Sequence, residues 1–156
     1  MTAFLSGLAA WLHVISAIIF IGHYMLLALV YLPALTKNGV DAQTGAALSN
    51  ISKASRSWLY ASIVVFAVTG SYMTLVDPSY KGLGNFSSTW ALLMLIKHVL
   101  IVGMIAAGFW YNGILHAGPV LGSGSTKALE TFKRFVYGMA ATGVVILLLT
   151  AWAGEA

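Results

Sequence analysis

The chain has 156 residues, enough for one domain, since a typical domain runs to about 100–200. Charged side chains make up 8% of it and hydrophobic ones 60%, against about 25% charged in soluble domains, so too few charges exist to cover a water-exposed surface and the chain reads as one transmembrane domain in a lipid bilayer. The net charge of +4 is spread over short loops and offers no patch for nucleic acid, while the lack of cysteine excludes disulfides, thiolate metal sites, iron–sulfur clusters and c-type haem attachment.

Four apolar stretches each reach the roughly 20 residues that cross a hydrocarbon core. The first runs from about Ala3 to Leu35 and is over-long, so it should tilt or protrude, and Pro33 disturbs regular helix near its end. Its start lacks a basic n-region and a small-residue cleavage site, and reads as a retained helix rather than a signal peptide. The second runs from about Trp58 to Val76 and stops at Asp77-Pro78, with a polar lead-in that Asp41 is placed to N-cap. The third runs from about Trp90 to Leu115, ended by the breaker pair Gly118-Pro119, and the fourth from about Phe135 to Ala153. The alternation of a barrel strand is absent. The expected fold is all-α: an integral membrane four-helix up-down bundle filling residues 1–156.

Lys37, Lys53, Arg56, Lys127, Lys133 and Arg134 fall in the loops and helix ends on one side, whereas Lys81 stands alone on the other. The positive-inside rule then puts those loops in the cytoplasm and both termini outside, as in a bacterial-type inner membrane protein.

All four histidines lie in the spans or at their ends: His13 and His23 on the first, His98 and His116 on the third. Ionisable groups in a membrane face the bundle interior, and neutral imidazole is the commonest metal ligand. Matching the two parallel spans end to end puts His13 and His98 at one depth, whereas His23 is out of step with His98 and His116 by roughly 12 Å or slightly less. Ala9, Ala10, Ser16 and Ala17 leave room beside His13, and the bulkier Met94, Leu95, Ile101 and Val102 surround His98. The same small residues also suit a plain helix seam. With no cysteine and no carboxylate inside a span, a haem b clamped by the two imidazoles is the cofactor that needs no further protein ligand.

The other polar groups carry open alternatives. His23 is read as a ligand of a second haem or as a hydrogen-bonding partner of a neighbouring Ser or Tyr. His116 is read as a second ligand, a propionate or quinone partner, or an interfacial residue. Lys97, one residue before His98, is expected to snorkel to the surface, with a haem propionate partner as the sharper alternative. Methionines 25, 73, 94, 104 and 139 show no Met-x-x-Met spacing and are expected to fill the core, though thioethers also hold Cu(I). Trp11, Trp58, Trp90 and Trp152 sit near span ends as interfacial anchors.

Trp11-Leu-His13-Val-Ile-Ser-Ala-Ile-Ile-Phe-Ile-Gly22 followed by Tyr31-Leu-Pro33, with Arg56 through Gly70 and Trp90 through Lys97, resembles the copper-resistance protein D-like membrane family. The His13 helix with its Tyr-Leu-Pro end also resembles the HemJ-type protoporphyrinogen oxidases, whose pattern of a histidine in span one and a lysine in span three falls on His13 and Lys97. These resemblances imply a multi-span protein that handles haem, copper or a porphyrinogen. The leading expectation is a bis-histidine b-type cytochrome through His13 and His98, moving electrons alone or as a subunit of a larger membrane redox complex. Copper transport and porphyrinogen oxidation are the alternatives.

Overall fold

The structure is a computed structural model that describes residues 2–37, 41–78, 80, 82, 89–111 and 125–153. Those residues form a first rod built of α1 (Thr2–Leu26), a π turn (Leu27–Tyr31) and α2 (Leu32–Thr36), then α3 (Ala42–Val76), α4 (Thr89–Phe109) and α5 (Thr126–Ala153). The rod from Phe4 to Thr36 and the helices α3, α4 and α5 are each long and apolar enough to cross a membrane. The fold is therefore the expected all-α, four-helix one.

The π turn has a covalent cause. Pro33 brings no N–H and its ring would strike the carbonyl four residues back, and the chain answers by widening one turn so that the Leu32 N–H reaches the Leu27 carbonyl. The helix therefore continues through Pro33 to Thr36 without a break. At the next corner Asp41 is extended and its carboxylate accepts from the Thr44 N–H at 2.7 Å, the N-cap that opens α3. The Thr44 hydroxyl donates back to the Leu35 carbonyl at 3.3 Å, which ties α3 to α2.

Two helices begin earlier than their apolar runs. α3 starts at Ala42, behind the Asp41 cap expected for its polar lead-in, and α5 at Thr126 rather than near Phe135. Helix is set by backbone hydrogen bonding and not by hydropathy, so the polar lead-ins stay helical where one face can be buried: Leu48 in α3 and Leu129 and Phe132 in α5 are almost wholly enclosed. The Gly118-Pro119 breaker and the last residues expected of the third span lie outside the described residues.

Helix packing is uneven. α1 packs along α3, α4 along α5, and α1 against α5, whereas α3 and α4 have no comparable seam among the described residues. Two glycines permit the close approaches. A Cβ on Gly143 of α5 would stand 2.6 Å from Ile21 Cγ2 of α1, and one on Gly108 of α4 would stand 3.1 Å from the Tyr24 hydroxyl. The best-filled core, with Leu27, Leu32, Leu48 and Val136, sits at the end of the bundle where α2 turns into α3. There Tyr111 stacks on Phe135 at 4.4 Å, and Tyr60 of α3 stacks on Phe109 of α4 at 5.1 Å. Toward the other end, which carries Thr2, Val76, Thr89 and Ala153, a cleft lies between α3 and α4.

Candidate functional site

α3 and α4 run antiparallel and touch through the Tyr60–Phe109 ring pair; beyond it they enclose a cleft of about 260 Å³. Phe66, Gly70, Met73 and Thr74 form its α3 wall, and Met94, Lys97, His98 and Ile101 its α4 wall. His13 of α1 forms the floor, and Asp77 and Trp90 stand where the two helices end. A second cavity of about 320 Å³ lies on the other side of His13 against α5, and shares His13, Phe66 and Lys97 with the first.

His13 is held on three sides. Its Nδ1 is 3.0 Å from Thr69 Oγ1, its ring stacks on Phe66 at 4.0 Å, and a Cβ on Gly70 would come within 2.9 Å of its Cε1. The Thr69 hydroxyl also reaches the Val65 carbonyl at 2.7 Å, within its own helix.

His98 Nδ1 lies 2.6 Å from the Met94 carbonyl one turn earlier and donates to it, since a carbonyl only accepts. A ligating histidine commonly gives its second ring N–H to such a partner, which fixes the ring plane. Two imidazoles thus line one cleft.

Lys97, expected to snorkel or to serve a propionate, stands beside His13. It is half-buried and lines both cavities, and no ion pair or hydrogen bond to it is formed among the described residues. Ser16 is buried and Ala17 lines the second cavity, but Leu95 is exposed and stands away from the cleft.

His23 is not part of this site. It lies in a separate groove between α1 and α3. His116 lies outside the described residues. The methionines divide: Met104 and Met139 fill the core as expected, whereas Met73 and Met94 line the cleft. Thr69 and Gly70 are residues that sequence reading missed as site groups, although a Thr-Gly pair inside an apolar span is a visible signal of a polar or close contact. No group of three or more His, Asp or Glu able to hold a bare metal ion occurs among the described residues.

Compared with protein-family models, with curated proteins and with solved structures, the chain matches none. The site must therefore be read from its own chemistry.

Proposed function

We propose that this chain is an integral membrane b-type haem protein in which His13 and His98 supply the two axial imidazoles. One observation supports the reading: both rings line a single cleft, each with its Nδ1 within hydrogen-bonding distance of a fixed oxygen. A haem b bound there would supply one-electron redox chemistry, and the protein would supply ligation, burial and orientation.

The chain's own residues have definite tasks in this reading. Thr69 and the Met94 carbonyl hold the imidazole planes and raise ligand basicity through their hydrogen bonds. Phe66 and Gly70 set the position of the His13 ring, and Lys97 offers an ammonium to an anionic edge group. The cleft, about 260 Å³, is smaller than the roughly 300–1,000 Å³ usual for ligand sites, so a macrocycle would need α3 and α4 to stand further apart than they do. One haem is proposed, because His23 lies outside the cleft. With the positive-inside rule, the end with the cleft faces outward in an inner membrane, and electrons pass to membrane redox partners from that face.

The test is the visible spectrum of the purified protein after haem addition. Sharp reduced α and Soret bands of a low-spin, six-coordinate haem are expected, at about one haem per chain by pyridine haemochrome. His13→Ala and His98→Ala should each abolish the low-spin form. A low-spin spectrum that survives in His98→Ala would remove His98 as a ligand.

Copper handling is the second reading, favoured by the thioethers of Met73 and Met94 on the same cleft as the two imidazoles, a soft donor set suited to Cu(I). Copper retained without haem bands, and lost in Met94→Leu, would select it. The porphyrinogen-oxidase expectation rests on the resemblance at His13 and Lys97 and is tested by assaying porphyrinogen oxidation with Lys97→Met.

A further inference from the structure

We propose that the groove between α1 and α3 at His23 is a quinone-binding site. It is separate from the cleft, has a volume of about 390 Å³, and is lined by Ile18, Gly22 and His23 on one side and Ser55, Trp58 and Leu59 on the other. The His23 ring sits edge-on to Tyr24 at 5.2 Å and has no hydrogen-bond partner among the described residues. An imidazole left without a partner on an apolar wall keeps both a donor and an acceptor to offer. The Ser55 hydroxyl gives its proton to the Ile51 carbonyl at 2.6 Å, which leaves its oxygen able to accept from a ligand in the groove it lines.

The polarity of the groove runs in one direction. Ile18 and Ile19 lie at the end toward the middle of the first span, while His23, Ser55 and Trp58 lie where α3 passes from apolar residues to Ser55-Arg56-Ser57. A ligand that fits has a hydrogen-bonding ring at the polar border and an apolar tail running inward. A quinone carbonyl takes the His23 N–H, and the quinol form gives an O–H to Ser55 Oγ or to the imidazole. Trp58 provides an aromatic plate at the edge. Phospholipid is the poorer occupant, because the lining holds no lysine or arginine for its phosphate.

Gly22 borders the groove and also the second cavity, and a Cβ there meets nothing within 4 Å. The experiment titrates a decyl-chain benzoquinone into the full chain in phosphatidylcholine nanodiscs, following tryptophan quenching and, separately, bound quinone by extraction. Saturable binding near one per chain is expected. Gly22→Phe should abolish it, His23→Leu should weaken it at least about tenfold, equivalent to about 1.4 kcal/mol, and His23→Gln should restore most of the affinity. Trp58→Phe should lose much of the quenching while extraction still finds the quinone. Circular dichroism of Gly22→Phe identical to the parent keeps its result interpretable, and His23→Leu stands as the second variant. Quenching that never saturates, affinity unchanged in Gly22→Phe or in His23→Leu, or phospholipid that co-purifies and is not displaced by the quinone would each overturn the assignment. Repeating the titration on His13→Ala separates this site from the haem reading, which can fail without affecting it.

Discussion

At the residue scale, what matters about His13 is its hydrogen bond with Thr69. Thr69→Val keeps the shape and removes that polar partner, so the His13 ring is held less firmly. Under the haem reading, the expected result is weaker haem retention and a shifted Soret band with the helical content intact. Gly70→Ala acts by volume. Its Cβ would press on His13 Cε1 at 2.9 Å, and the ring, pinned between Phe66 and Thr69, has little room to yield. A change in the low-spin spectrum larger than that in Gly103→Ala, where the added Cβ meets nothing within 4 Å, is the expected comparison. The histidines were legible in the sequence because ionisable groups inside apolar spans stand out. Their partners were not, because Thr69 is 56 residues from His13 in the chain and only the α1–α3 register brings the two together. Lys97 shows the same limit: a lysine in a span can be seen, but the direction in which it points is decided by the neighbours of α4.

At the element scale, the corner between α2 and α3 was readable. Asp41 is the expected N-cap, and the Thr44 N–H, with the Thr44 side chain behind it, holds its carboxyl below the usual carboxylate range. A carboxyl whose folded pKa is lowered stabilises the fold fully above its unfolded value of about 3.9, and that support is lost as pH falls through the lower folded value. Amide exchange at Thr44 and Gly45 should accordingly accelerate in acid below about pH 4, and Asp41→Ala should show the faster exchange already at neutral pH, while Asp41→Asn should not. Pro33 was also visible, but its effect was a π turn within a continuing rod rather than an end. The α1–α5 seam depended on shape complementarity that no periodicity reveals. Gly143→Leu should drive into Ile21, which is β-branched and stiff, and lower stability by about 1–3 kcal/mol, as overpacking does. Gly138→Ala on the same helix, with open space at its Cβ, should leave the thermal midpoint in detergent unchanged.

At the scale of the whole molecule, the charge distribution predicts orientation. Fusions of a periplasm-active reporter after Ala153 should be active, and a cysteine placed at Lys37 or Lys127 should be labelled only from the cytoplasmic side. The opposite pattern would invert the proposed direction of the cleft. The packing is uneven: the Tyr60–Phe109 and Tyr111–Phe135 stacks join helices at one end, and at the other the cleft lies between α3 and α4.

The sequence by itself determined the membrane setting, the four helices and the identity of the polar residues inside them. Those follow from composition and from the obligation of every backbone group in lipid to bond within its own helix. It also determined the Asp41 cap, a contact spanning three residues. Only the tertiary structure decided that His13, Lys97 and His98 share a cleft, that His23 belongs to another groove, and that Met73 and Met94 leave the core. Those outcomes depend on the rotation of each helix about its axis and on which pairs pack. Rotation is fixed by glycine-to-side-chain fits such as Gly143 on Ile21, and in a chain that is apolar nearly all round, hydropathy carries almost no information about it.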